Sequence, residues 1–187
     1  MYKKPNILKV STLAQTCLFS IEQVTLLFQN NQQHDYERII VPGNGAVLIV
    51  PVFDDAKLLM VSEYCVGSND YQLLFPKGRI DKNESIEQAA NRELMEETGY
   101  AARKLTHIHS LSIAPGYLDF ITHIVIAEDL YAQTRCGDEP EALQLHTFNL
   151  NQFDELLQRS DLSEARSIAS LYLVRDFLQQ KTNHEKT

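Results

Sequence analysis

The chain has 187 residues, 44% of them hydrophobic, enough for one domain with a sizeable core and short for two. Its 17 basic and 25 acidic residues leave a formal charge of −8 with no Lys/Arg block, which argues against binding a nucleic-acid duplex by phosphate neutralisation. No run approaches the ~18 apolar residues of a membrane span, and MYKKPNILKVSTLAQT lacks the apolar core of a secretion signal. Cys17, Cys65 and Cys136, odd in number and without CxxC spacing, suit reduced thiols in a cytoplasmic protein.

In chain order, residues 18–28 and 34–41 flank the polar NNQQ and predict an antiparallel β-hairpin in an N-terminal extension over residues 1–41. Within it SIEQVTLLF is expected to expose apolar residues. Gly43-Asn44-Gly45 breaks the chain before AVLIVPVF, a buried-strand run, and KLLMVSEY follows a tight turn at Asp54-Asp55. Up to Phe75 the chain is thus mostly strand. Asn83 is the candidate N-cap of a helix over 84–98, which Gly99 ends as its C′ residue. Beyond it HIHSLSI and FITHIVIAEDL predict strands, TRCGDEPEA a polar loop, LQLHTFNL a strand, and NQFDELLQR and LSEARSIASLYLVRDFLQQ helices. Without repeats or low-complexity segments, residues 1–187 are expected to form a single mixed α+β domain.

The helix over 84–98 carries the chemistry. On a wheel stepped by about 100° per residue from Glu93 at zero, Ile86, Ala90, Leu94 and Ala89 fall near 20°, 60°, 100° and 320°. Glu97 lies near 40° and Glu96 near 300°, while Glu87, Thr98, Asn91, Gln88 and Arg92 form the polar arc. Carboxylates therefore sit on or beside the face that apolar residues turn inward. Glutamates ordinarily face solvent, but here the angles oppose that. So does the helix dipole, which disfavours anions in the last turn by about 0.3–1 kcal/mol each. Glu93 and Glu97 at i,i+4 also repel one another, and Arg92 alone cannot neutralise the cluster. A divalent cation can, and all-oxygen ligation is what Mg²⁺ or Mn²⁺ takes.

Gly78, five residues, Glu84, seven residues, Arg92-Glu93-Leu94, one residue, Glu96-Glu97, one residue, Gly99-Tyr100 resembles the Nudix box, GX5EX7REUXEEXGU, at every fixed position over residues 78–100. The resemblance implies the Nudix fold, a mixed β-sheet sandwiched between helices. It also implies hydrolysis of a nucleoside diphosphate linked to another moiety, with Mg²⁺ or Mn²⁺. Carried over, it makes Glu93 and Glu97 the principal metal ligands, Glu96 a further one and the Gly78 carbonyl another donor, with Arg92 orienting the glutamates. Glu84 stays open between supporting the loop through Arg92, a plain first-turn position and catalysis. Gly78 and Gly99 would supply backbone freedom.

Pro115 in SIAPGYLDF, with YERI, GNGAVLIVP, SEYCVG, QLLFPKGRID and the late helix, resembles the ADP-ribose pyrophosphatase branch along nearly the whole chain. That implies a small nucleotide substrate such as ADP-ribose, NADH or a diadenosine polyphosphate, AMP as product, and a homodimer formed through the N-terminal hairpin. In that branch a glutamate of a late acidic loop helps activate water. Glu139 and Glu141 of GDEPEA match the loop, and Glu93 is the competing base. Tyr36, Arg38, Tyr64, Pro115 and Tyr117 are the candidate substrate contacts near adenine, although packing is the commoner role for such residues. His107, His109, His123 and His146 alternate in strands without a ligand set and read as structural. Two alternatives stand beside this reading: a Nudix hydrolase of GDP-sugars or nucleoside triphosphates, and an inert nucleotide-binding module on the same fold.

Overall fold

A computed structural model describes residues 3–53 and 56–184, so the expected Asp54-Asp55 turn lies outside the described residues. β1 (Asn6–Gln15), β2 (Ser20–Leu27) and β3 (Gln33–Ile40) make an antiparallel N-terminal sheet. β2 and β3 are the expected hairpin. β1 is an addition to it: almost all its side chains are exposed, so no alternation of apolar and polar residues marks it in the sequence. The exposed apolar surface also moves. Within SIEQVTLLF only Ile21 of the apolar residues is exposed and Val24 is buried, while β1 exposes Ile7, Leu8, Val10 and Leu13. Leu8 and Leu13 fall at the two register shifts of the β1–β2 ladder, where a bulge leaves one residue unpaired.

β4 (Ala46–Pro51) shows how the centre is built. All six side chains are buried, and strand periodicity divides them between two cores. Leu48 and Val50 enter one core; Val47 and Ile49 enter the other. The first core is filled by Leu58 and Met60 of β5 (Lys57–Cys65), Leu73 of β6 (Asp70–Leu74) and the following Phe75. β7 (Lys77–Arg79) pairs antiparallel with β4, putting Gly78 beside Val47, so a short strand stands ahead of the carboxylate helix.

α1 (Ile86–Thr98) packs Ala89, Ala90 and Leu94 into the second core. Its N-cap is Ser85, whose side chain accepts from Gln88 N–H while Gln88 bonds back to Ser85 N–H. Asn83 is instead a left-handed turn residue, φ 69°, and Glu84 precedes the helix. At the other end Gly99 is left-handed as expected, φ 74°. The buried face is wider than the wheel implies, since Thr98 is buried and returns its hydroxyl to Leu94 O at 2.6 Å.

β8 (Tyr100–Ser112) and β10 (Ile121–Ala132) complete the mixed sheet, ordered β7-β4-β10-β8, with β4 and β10 parallel. Between them β9 (Leu118–Asp119) joins the N-terminal sheet beside β3. β11 (Gln144–Asn149) adds to β5 and β6. A 3₁₀ turn, Leu150–Gln152, leads into α2 (Phe153–Leu157), and α3 (Ala165–His184) closes the first core with Leu171 and Val174. Among the described residues no helix is long and apolar enough to cross a membrane.

Candidate active site

Glu93 and Glu97 point inward from α1 and are about nine-tenths covered. β7 receives them. A Cβ on Gly78 would lie 1.9 Å from the Glu93 carboxyl carbon, so only a residue without a side chain fits there. Gly78 is not among the glycines with positive φ, and close approach, not backbone freedom, is therefore what this position requires. One residue earlier, Lys77 N–H faces both Glu97 oxygens at 3.3 and 3.4 Å.

Arg92 organises the surrounding charge. Its Nε and Nη2 donate to the two Glu84 oxygens at 2.9 and 3.0 Å, Nη1 to Glu93 at 2.7 Å and Glu96 at 2.9 Å, and Nη2 also to Arg79 O at 2.8 Å. Glu84 accepts Asp81 N–H as well, at 3.0 Å, so it ties the loop before α1 to Arg92. That bidentate contact holds the Glu84 carboxyl below its ordinary range. Burial acts the other way on the inner pair. Glu97 is pushed up to about 8 by desolvation, Lys77 opposing and Glu63 and Glu93 adding. Glu93 is also raised, first by burial, with Arg92 opposing and Glu96 and Glu139 adding.

These residues line a cleft of about 660 Å³ whose far wall is the loop 135–140. Glu139 lies on that wall. Glu141 does not line the cleft: it accepts the Tyr71 hydroxyl at 2.6 Å. Tyr64 packs edge-on against Tyr71, 5.5 Å between centroids, and so joins Glu141 rather than the other candidate substrate contacts. Tyr36, Arg38, Pro115 and Tyr117 line a second cavity of about 690 Å³ between the N-terminal sheet and the 115–121 segment. Among the described residues the two cavities share no lining residue.

A model of the NUDIX domain matches residues 43–171, well over half of the chain. The chain belongs to the Nudix family. A model of the NudE-type Nudix hydrolase N-terminal domain matches residues 5–38. Over 177 residues, 95% of each chain, the protein is 45% identical to the ADP compounds hydrolase NudE of Escherichia coli K12. It is 31% identical to the ADP-ribose pyrophosphatase of Bacillus subtilis, over 86% of this chain and 89% of that one. The crystal structure of an ADP compounds hydrolase superposes with a TM-score of 0.90 at 44% identity, covering 97% of each chain. The protein is a Nudix pyrophosphohydrolase with the α+β Nudix fold.

Four bases of the Nudix cleft accompany its carboxylates: Lys77, Arg79, Arg92 and Arg135. Sequence reading singled out Arg92 alone. Lys77 and Arg79 flank Gly78, the first residue of the box, in PKGR and were legible beside it; Arg135, in the loop ahead of GDEPEA, carries no motif. Glu63 of β5 was also missed, and it pairs with Lys77 across the cleft. The donor set fits a hard divalent cation: Glu93, Glu96, Glu97 and Glu139 offer carboxylate oxygen in one cleft. Among the described residues, however, no three acidic, His or Cys side chains already converge as ligands. Guanidinium groups hold Glu93 and both oxygens of Glu96.

Proposed function

We propose that this Nudix hydrolase cleaves the pyrophosphate linkage of ADP-containing compounds, among them ADP-ribose, NADH and diadenosine polyphosphates, using Mg²⁺ and releasing AMP. The observation that carries the reading is the 45% identity, along 95% of both chains, to a protein named ADP compounds hydrolase. The chemistry supplied by bound Mg²⁺, or Mn²⁺ in its place, is neutralisation of the bridging phosphates and acidification of the attacking water. Glu93, Glu96, Glu97 and the Gly78 carbonyl would hold the cation, and Arg92 would keep Glu93 and Glu96 aimed at it.

Glu139 is the general base in this reading. Its support is that it lines the cleft and raises the proton affinity of Glu93, whereas Glu141 is engaged by Tyr71. Tyr36, Arg38, Pro115 and Tyr117 recognise the nucleotide base, supported by their shared cavity. Residues 1–41 form the dimerising arm of one Nudix domain spanning residues 1–187, supported by the exposed apolar side chains of β1. Three free cysteines fit a cytoplasmic location.

The test is turnover of ADP-ribose, NADH, diadenosine triphosphate, GDP-mannose and dGTP, with Mg²⁺ and with EDTA, products being resolved by chromatography. Metal-dependent AMP release confined to the adenine compounds is expected. Turnover of GDP-mannose or dGTP alone would overturn the substrate class, and nucleotide binding without turnover would leave a binding module.

A further inference from the structure

Glu96 is fully engaged by two arginines. Its Oε2 meets Arg92 Nη1 at 2.9 Å and its Oε1 meets Arg135 Nε at 3.0 Å. The two guanidinium groups are held very differently. Arg92 is about seven-eighths covered and is tied also to Glu84, Glu93 and the Arg79 carbonyl, so removing it from Glu96 would break a whole network. Arg135 comes from the loop and its side chain is 54% exposed.

The fold explains why a loop cation stands there. The last turn of α1 holds two glutamates and no basic residue, leaving the negative end of the helix dipole uncompensated from within. The loop lies directly on this turn. Gln133 N–H donates to Gly99 O at 2.9 Å and Arg135 N–H to Met95 O at 3.3 Å. A Cβ on Gly137 would meet the Glu96 Cβ at 3.3 Å. Backbone anchors thus deliver the Arg135 side chain to the one carboxylate oxygen of Glu96 that Arg92 leaves free.

We propose that Arg135 is a positioning residue that, by holding Glu96 Oε1, competes with the divalent cation for that carboxylate. Arg135 thereby sets how tightly the cleft takes its cation, by competition for one oxygen. The inference rests on the reading of Glu96 as a metal ligand.

The experiment is Mn²⁺ binding to the full-length, EDTA-stripped protein, followed by calorimetry and by the electron paramagnetic resonance of free Mn²⁺, with no substrate present. Arg135→Ala should bind Mn²⁺ about fivefold more tightly than wild type, the most that loss of one half-exposed ion pair supports, while Arg135→Lys stays close to wild type. Removing a nearby positive charge would also tighten cation binding through space, and a double-mutant cycle separates the two effects. In a Glu96→Gln background the Arg135→Ala effect should shrink to its through-space remainder, well below the wild-type fivefold. If it persists undiminished there, or if Arg135→Ala leaves the wild-type affinity unchanged or weaker, the competition is overturned. Absence of any Mn²⁺ binding by the wild-type chain would overturn this inference together with the metal-cleft reading beneath it.

Discussion

Glu97 shows how much a single position can carry. Burial, with Lys77 opposing and Glu63 and Glu93 adding, pushes its carboxyl up to about 8 from an ordinary value of 4.5. Between those values the folded state holds a proton that the unfolded chain has released, so stability from this group is complete below about pH 4.5 and is lost as pH rises through about 8. Melting temperature in EDTA should therefore fall across that window, and Glu97→Gln should flatten the fall; an unchanged slope would assign it to other groups. The same variant should lose metal-dependent turnover by about 100-fold or more. Gly78 makes a second test at this scale. In Gly78→Ala the new methyl displaces the Glu93 carboxylate, and Mn²⁺ affinity should drop by about 10- to 100-fold with only a small loss of melting temperature. Both glutamates were legible from angular position alone, because a helix of known period turns spacing into direction. The need for glycine at position 78 was legible only as a motif, since its cause is a side chain fifteen residues away.

At the scale of elements, α1 is a platform whose two ends are fixed by different means. Ser85 closes the first turn with a reciprocal side-chain box, and Gly99 ends the last turn in a left-handed conformation. Ser85→Ala should cost about 1 kcal/mol, seen as a drop of roughly 2–4 °C in melting temperature, with the turnover of folded protein little changed because no cleft residue is touched. The start of this helix was misplaced by two residues for a physical reason. Asn83 and Ser85 are both good cap residues, and only the turn geometry, with Asn83 left-handed and Glu84 drawn to Arg92, decides between them. β7 is a comparable case. A three-residue strand has too little sequence to show a period, and it exists because β4 offers it an edge.

For the whole molecule, the N-terminal sheet leaves Ile7, Leu8, Val10 and Leu13 at the surface, apolar side chains that a second copy would cover. Sedimentation equilibrium should give twice the 21.4 kDa chain mass, and Leu8→Glu with Leu13→Glu should return a monomer. A monomeric wild type would dismiss the dimer. The second cavity is also an outcome of whole-molecule assembly: Tyr36 and Arg38 come from β3 while Pro115 and Tyr117 come from the segment leading to β9.

By itself the sequence determined the Nudix family, the mixed α+β class and the inward glutamates of the box, since these depend on local spacing and on the periods of helix and strand. Tertiary structure alone decided which acidic-loop glutamate reaches the cleft, why Gly78 admits no side chain, and that Arg135 shares Glu96 with Arg92. Those are contacts between elements far apart in the chain. Their geometry depends on how sheet, helix and loop pack, which no local pattern encodes.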